Sequence, residues 1–299
     1  MQRILLSLAV IVALGGGAIA STGAFFNDTE TSTGNTFAAG DIDLQIDNSS
    51  YAIDFNIPTF QGTTTGALVA NPANSWQLAD LVAGTHKFFT FDDLKPGDLG
   101  EDTISIHVGS NNAWMCAAAR LTDDSDQSLT EPELADDTAT STFPGAGLGE
   151  LDNGLNFAFW VDDGDNVYEP IAGQSGGVAE TIFLSGPLSN IASTTSNITL
   201  ADSSTSILGA ANPIPGGTTF YIGKAWCFGN PISTNLVQDG LNTGSPLTLT
   251  PGFTCDGAAV NNAAQTDRVE GDMQFYAVQS RNNPTFTCAA NYRGFLPPI

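Results

Sequence analysis

Apolar side chains in this chain recur at every second position, in short runs cut off by clusters of Gly, Asn, Ser and Pro. A period of two is the repeat of a β-strand with one face buried and the other in water, whereas an amphipathic helix needs apolar residues three and four apart. Ile42, Leu44 and Ile46 alternate with Asp41, Asp43, Gln45 and Asp47. Tyr51, Ile53, Phe55 and Ile57 repeat the pattern beyond Asn48, Ser49 and Ser50, which read as a turn, so the two runs suggest a hairpin. Phe88, Phe89 and Phe91 lead to a turn at Pro96 and Gly97, and Ile104, Ile106 and Val108 alternate after it. Leu155 to Val161, Phe220 with Ile222, Met273 to Ala277, and Phe286 with Cys288 continue the series. Helical spacing is nearly absent; only Val178 to Leu184 and Ala258 to Gln265 could each hold a short helix. The expected fold is all-β, a jelly-roll-like antiparallel β-sandwich over residues 41–299. Residues 121–151, acidic and rich in small side chains, and 184–215, rich in Ser, Thr and Asn, read as long loop insertions.

The N-terminus reads as a secretory signal. Arg3 supplies a short positive region, Ile4 to Leu14 is apolar except for Ser7, and Gly15, Gly16, Gly17 and further small residues extend to Ala24. Small side chains offer cleavage sites after Ala20 or Ala24. A retained anchor is the rival reading, since a span needs about 20 apolar residues, but three consecutive glycines weaken a spanning helix. The expected organisation is a signal peptide over 1–24, an N-terminal arm over 25–40, and the sandwich from residue 41, with no membrane span after cleavage.

The exported chain of about 275 residues can bury a sizeable core. The full sequence has 32 acidic residues against only 8 basic ones, and removing Arg3 with the signal makes the balance more negative still, which argues against nucleic acid or anionic lipid as partner because both need a basic face. Four cysteines, Cys116, Cys227, Cys255 and Cys288, in an exported chain read as two disulfides. Three pairings are possible, and the nested one, Cys227 with Cys255 and Cys116 with Cys288, is preferred. No Cys-x-x-Cys occurs, which disfavours a zinc site.

Three blocks carry a family resemblance: the leader running into Ala24, Phe25, Phe26, Asn27, Asp28, Thr29 and Glu30; Gly34 to Leu44; and Asp92, Asp93, Leu94, Lys95, Pro96, Gly97 and Asp98. In these, over roughly its first 120 residues, the chain resembles the TasA/camelysin family of exported proteins, which are often paired with a SipW-type signal peptidase. The resemblance implies cleavage after Ala24 and a jelly-roll subunit of extracellular fibres. It further implies self-association as a head-to-tail homopolymer, in which an arm beginning at Phe25, Phe26, Asn27 and Asp28 completes the sheet of the next copy. The cysteines depart from the simpler fibre-forming members.

For chemistry, Asp162, Asp163, Gly164, Asp165, Asn166 and Glu169 gather hard oxygen donors around a glycine, which suits the 6–8 oxygen ligands of calcium. The spacing departs from the twelve-residue EF-hand loop, and the same residues read equally as an Asp-Gly turn with solvated carboxylates. The run Asp123, Asp124, Asp126, Glu131, Glu133, Asp136 and Asp137 offers a second candidate divalent surface, with a solvated acidic face the preferred reading. Gly173, Ser175 and Gly177 match Gly-x-Ser-x-Gly, but the two histidines, His86 and His107, both precede Ser175, which excludes the order of α/β-hydrolases. His107 reads as solvent-facing. With no His-Glu-x-x-His present, the expectation is a protein that is not an enzyme. Asn27, Asn48 and Asn197 begin glycosylation sequons.

Overall fold

The computed structural model describes residues 27–31, 42–53, 68–137, 144–173, 177–193, 197–240 and 244–295. The strands in chain order are β1 (Asn27–Thr31), β2 (Leu44–Ile53), β3 (Leu68–Ala70), β4 (Trp76–Ala79), β5 (Leu99–Val108), β6 (Ala113–Asp126) and β7 (Gly145–Ala146). They continue with β8 (Leu155–Asp162), β9 (Ile182–Pro187), β10 (Asn197–Ala201), β11 (Thr219–Phe228), β12 (Asn230–Ser233), β13 (Phe253–Asp256) and β14 (Arg268–Gln279). The protein is all-β, and every pairing between these named strands is antiparallel. Two main sheets face each other: one runs β1-β14-β6-β10, with β7 on the end of β6, and the other runs β3-β2-β5-β11-β8-β9, with β4 beside β2, while β12 and β13 pair in a separate two-stranded sheet.

The inward faces of the two sheets share one core. Leu44 and Ile46 from β2, Ile104 and Ile106 from β5 and Phe157 and Phe159 from β8 meet Met115 from β6 and Phe275 from β14. The opposite face of the larger sheet is covered as well. There Trp160, Ala225 and Leu99 lie beneath Tyr168 and Phe253, whose rings stack 4.8 Å apart. Two glycines make room for cross-strand indoles: Gly100 lies opposite Trp226, and Gly223 opposite Trp160. A Cβ on either would collide with that ring, so these strand glycines mark close approach and not flexibility. The disulfides are Cys116–Cys288, between β6 and a C-terminal helical turn, and Cys227–Cys255, between β11 and β13.

Several local expectations are corrected. Asn48, Ser49 and Ser50 form no turn: β2 runs through them in unbroken register with β5, from Leu44 opposite Val108 to Ala52 opposite Gly100. The buried Asn48 amide nitrogen and the Ser50 backbone both find partners from the Asn74–Ser75 segment and β5. The Asn48 amide donates to the Asn74 carbonyl (2.6 Å) and to Asp102 (3.2 Å), and the Ser50 N–H donates to Ser75 Oγ (2.9 Å). Asn48 is also fully buried, which closes that sequon in the folded protein. Val178 to Leu184 is not helical and ends in β9, while Ala258 to Gln265 contains only a single 3₁₀ turn at Asn262–Ala264. The excursion expected from residue 121 leaves the sheet only after Asp126, because β6 pairs with β14 as far as Ser125. The 184–215 segment is part of the fold, contributing β10 to the edge of the smaller sheet. His107 is half-buried and lies 3.1 Å from Asp47, its cross-strand neighbour but two.

Candidate metal centre and N-terminal sheet edge

The loop after β8 turns back over the covered face of the larger sheet, and Tyr168 pins it there against Trp160 and Phe253. That docking carries the acidic residues of the loop out of water. Asp162, Asp165, Asn166, Glu169 and Glu180 are all buried, with Asp165 and Asn166 each at 2% exposure. Among the described residues no Lys, Arg or His forms a salt bridge with any of the four carboxylates, nor with Asp163.

Local hydrogen bonds fix the loop. Asp162 Oδ2 accepts from the N–H groups of Gly164 (3.0 Å) and Asn166 (3.1 Å), and its Oδ1 accepts from Trp160 Nε1 (3.0 Å). Asn166 holds a left-handed backbone, φ 63°, which Asn tolerates better than most residues. Glu180 accepts from the N–H of Asp163 (3.1 Å) on one oxygen and from that of Glu169 (2.8 Å) on the other, so it bridges both ends of the turn. Gln238 Nε2 donates to Asp163 Oδ2 (3.0 Å), tying in a loop from across the molecule. The turn chemistry expected of Asp-Gly is thus present, together with a carboxylate cluster.

Two sets of three carboxylates result, with ligand oxygens inside 4.8 Å of one another: Asp162, Asp163 and Glu180, and Asp163, Glu169 and Asp239. Of the residues expected from sequence, Asp162, Asp163 and Glu169 belong to these sets. Asp165 and Asn166 lie on the same loop and outside both sets. Glu180 and Asp239 complete the sets, and no spacing rule in the sequence could have found them, since the fold alone brings them in. Several polar atoms here have no hydrogen-bond partner: Asp163 Oδ1, Asp165 Oδ2, Glu169 Oε2 and both side-chain heteroatoms of Asn166. Glu101, fully buried on the same face of the sheet, has both carboxylate oxygens unpartnered. Orphaned buried oxygens are costly, and a divalent cation is the ligand that would satisfy several at once.

The electrostatics agree. Burial pushes the Asp162 carboxyl up to about 7, against the hydrogen bonds it accepts. Burial, then the neighbouring Asp163 and Asp162 charges, push Asp165 to about 8, and burial with Asp162 pushes Glu180 to about 9. Glu101 is raised well above the usual carboxylate range by burial first and then by Asp162. Removing charge by protonation and compensating it with a cation are alternative ways to relieve the same cluster.

The second feature is the edge of the smaller sheet. β1 lies antiparallel on β14, from Asn27 opposite Val278 and Asp28 opposite Ala277 to Thr31 opposite Gln274. Asn27 and Asp28 therefore open a strand seated on the chain's own sheet. Phe25 and Phe26 lie outside the described residues, as do the signal region and Ser175. Among the described residues no helix is long and apolar enough to cross a membrane. No family model matches the chain, and neither a curated protein nor a solved structure is detectably similar to it.

Proposed function

We propose that this chain is an exported structural subunit that polymerises into extracellular surface or matrix fibres by exchanging its N-terminal strand between copies. The observation that carries this reading is the seat of β1, a five-residue strand from the N-terminal segment on the edge of its own sheet. If β1 left, the N–H and C=O groups of β14 would face solvent, and the same five register positions would accept β1 from a second copy. Cis and trans seating make the same ladder, which is the condition for swapping at low cost. Each copy offers one strand and one edge, so exchange runs head-to-tail and yields an open filament where the rotation does not close. Phe25 and Phe26 would anchor the exchanged segment at about 1.5–3 kcal/mol for each ring buried. Two disulfides suit the oxidising compartment that export implies. The family resemblance in the leader and arm supports the same reading. Mature wild-type protein is expected to pellet as filaments, and a variant lacking residues 25–36 is expected to stay in the supernatant. Normal filaments from the truncated protein, seen by negative stain, would sink the proposal.

A second reading, a monomeric secreted or surface protein that binds calcium, is favoured by the unpartnered buried oxygens around Asp163 and Asp165. Only its calcium binding is shared with the first reading, since a metal would fasten the covering loop whether or not the subunit assembles; the monomeric state is what separates the two. Calorimetric titration with calcium is expected to lose at least one ion in an Asp162→Asn/Asp165→Asn variant. Unchanged stoichiometry there would remove this centre from consideration.

A further inference from the structure

Where β6 ends and β14 begins, three acidic residues from distant parts of the sequence converge. Asp126 ends β6, Glu133 begins a helical turn (Glu133–Asp136), and Asp267 immediately precedes β14. Their carboxylate oxygens lie within 4.8 Å of one another. We propose that Asp126, Glu133 and Asp267 form a second divalent-cation site, of the hard-oxygen class that takes calcium, independent of the centre around Asp163.

The fold sorts the acidic run of residues 123–137 into two kinds. Asp123 faces Arg268 at 3.7 Å, and one Asp136 oxygen accepts from both the N–H and the side-chain amide of Asn262, so both are spent on the surface. Asp126 and Glu133 are turned inward, at 6% and 1% exposure. Glu133 is held by a reciprocal pair with Thr130: its Oε2 accepts the Thr130 N–H (2.9 Å), and its own N–H donates to Thr130 Oγ1 (3.4 Å). This is the capping-box arrangement, and it fixes the carboxylate without neutralising it. Asp267 is fixed in the same sense, because its Oδ2 accepts the N–H groups of Glu150 (2.6 Å) and Leu151 (3.1 Å).

What remains points to a ligand. Asp126 Oδ1, on a side chain more than nine-tenths buried, has no partner, and neither has Asp267 Oδ1. Glu150 lies close enough that burial, then the charges of Asp267, Asp137, Asp126 and Glu133, push its carboxyl up to about 7. Asp267 is pushed to about 6 by burial first, with Asp126 and Glu133 adding repulsion. Arg268, the cation next in sequence, is directed to Asp123 and Glu270 instead. A bound calcium ion would give the orphaned oxygens a partner and tie the end of β6, the 130–133 turn and the 150 loop to the start of β14.

The experiment is a calorimetric calcium titration of the full mature chain beside Asp126→Asn/Asp267→Asn and Asp162→Asn/Asp165→Asn, with melting temperatures taken in chelator and in calcium. Each variant is expected to lose ions that the other retains, and the Asp126/Asp267 variant is expected to show a smaller calcium-induced shift than wild type. Its melting temperature in chelator should equal or exceed that of wild type, because charge repulsion is removed, and this reports that it folds. Should it not fold, Glu133→Gln keeps the cap to Thr130 and is expected to weaken one class of ion at least tenfold. Wild-type stoichiometry and affinity in a folded Asp126/Asp267 variant, or in Glu133→Gln, would overturn the site.

Discussion

In chelator, the melting temperature of the mature protein is expected to fall by on the order of 10 °C between pH 5.5 and pH 8.5. Millimolar calcium should restore most of it at pH 8.5 and change little at pH 5.5. Asp162, Asp165 and Glu180 hold their protons to about 7, 8 and 9 in the fold. Unfolded, they release them near the ordinary carboxylate values of about 4. Between those limits the folded state binds more protons than the unfolded one, so stability is greatest below about pH 4 and is lost as pH rises toward 9. Asp124, pushed to about 6 by burial and by Asp152 and Asp123, together with Glu150 and Asp267, adds to the same slope over its lower half. A calcium ion bound by these carboxylates would compete with those protons, so its effect is expected to grow with pH. Scanning calorimetry at four or five pH values checks both slopes. A flat or rising profile in chelator, or an equal calcium shift at both ends of the range, would contradict the assignment of these clusters.

Lys224→Ala is expected to destabilise the domain by about 3–5 kcal/mol, the usual cost of leaving one partner of a buried ion pair uncompensated. Lys224 and Asp102 face each other across β11 and β5, both at 0% exposure, with Nζ 2.9 Å from the carboxylate. The ammonium also donates to the Phe88 carbonyl (3.1 Å) and sits over the Phe89 and Phe88 rings at 5.2 and 5.5 Å. Loss of the lysine strands a carboxylate in the core, where only the Asn48 amide still reaches it. Lys224→Met/Asp102→Leu, which removes both charges, should be less destabilised than Lys224→Met alone, despite the unpaired carbonyl and amide it leaves. Urea unfolding of Lys224→Met, Asp102→Leu and the double variant measures this, and additive effects would show that the pair is not coupled.

The strand pattern was readable because burial on one face imposes a period of two, and Ile104, Ile106, Phe157, Phe159 and Phe275 all lie where alternation puts them. Parity also places Lys224 on the inward face with Phe220, Ile222 and Trp226. Reading failed where polar residues were satisfied by remote partners. Asn48 looked like a turn because nothing nearby in sequence announces Asn74 or Asp102. β10 looked like loop because the Asn197 side chain serves the carbonyls of Cys288 and Tyr292, over ninety residues away. The candidate centre shows the same division. Asp162, Asp163 and Glu169 are close in sequence and could be proposed together, whereas Glu180 and Asp239 join only through the fold. The 123–137 run looked uniform, and its split into surface and inward carboxylates depends on where Arg268, Asn262 and Asp267 arrive.

The two disulfides also set the covalent topology of the molecule. Cys116–Cys288 joins positions 172 apart, and Cys227–Cys255 closes a smaller ring inside that span. A single backbone cut anywhere between residues 116 and 288 therefore leaves the two pieces covalently joined until a reductant is added, and after a cut between 227 and 255 they are joined by both disulfides. β1, β2 and β5 all lie outside the larger ring, on a free-ended N-terminal stretch. Exchange of the first strand would therefore need no chain to pass through a closed loop, and the strands that lie within the larger ring would keep their covalent tie.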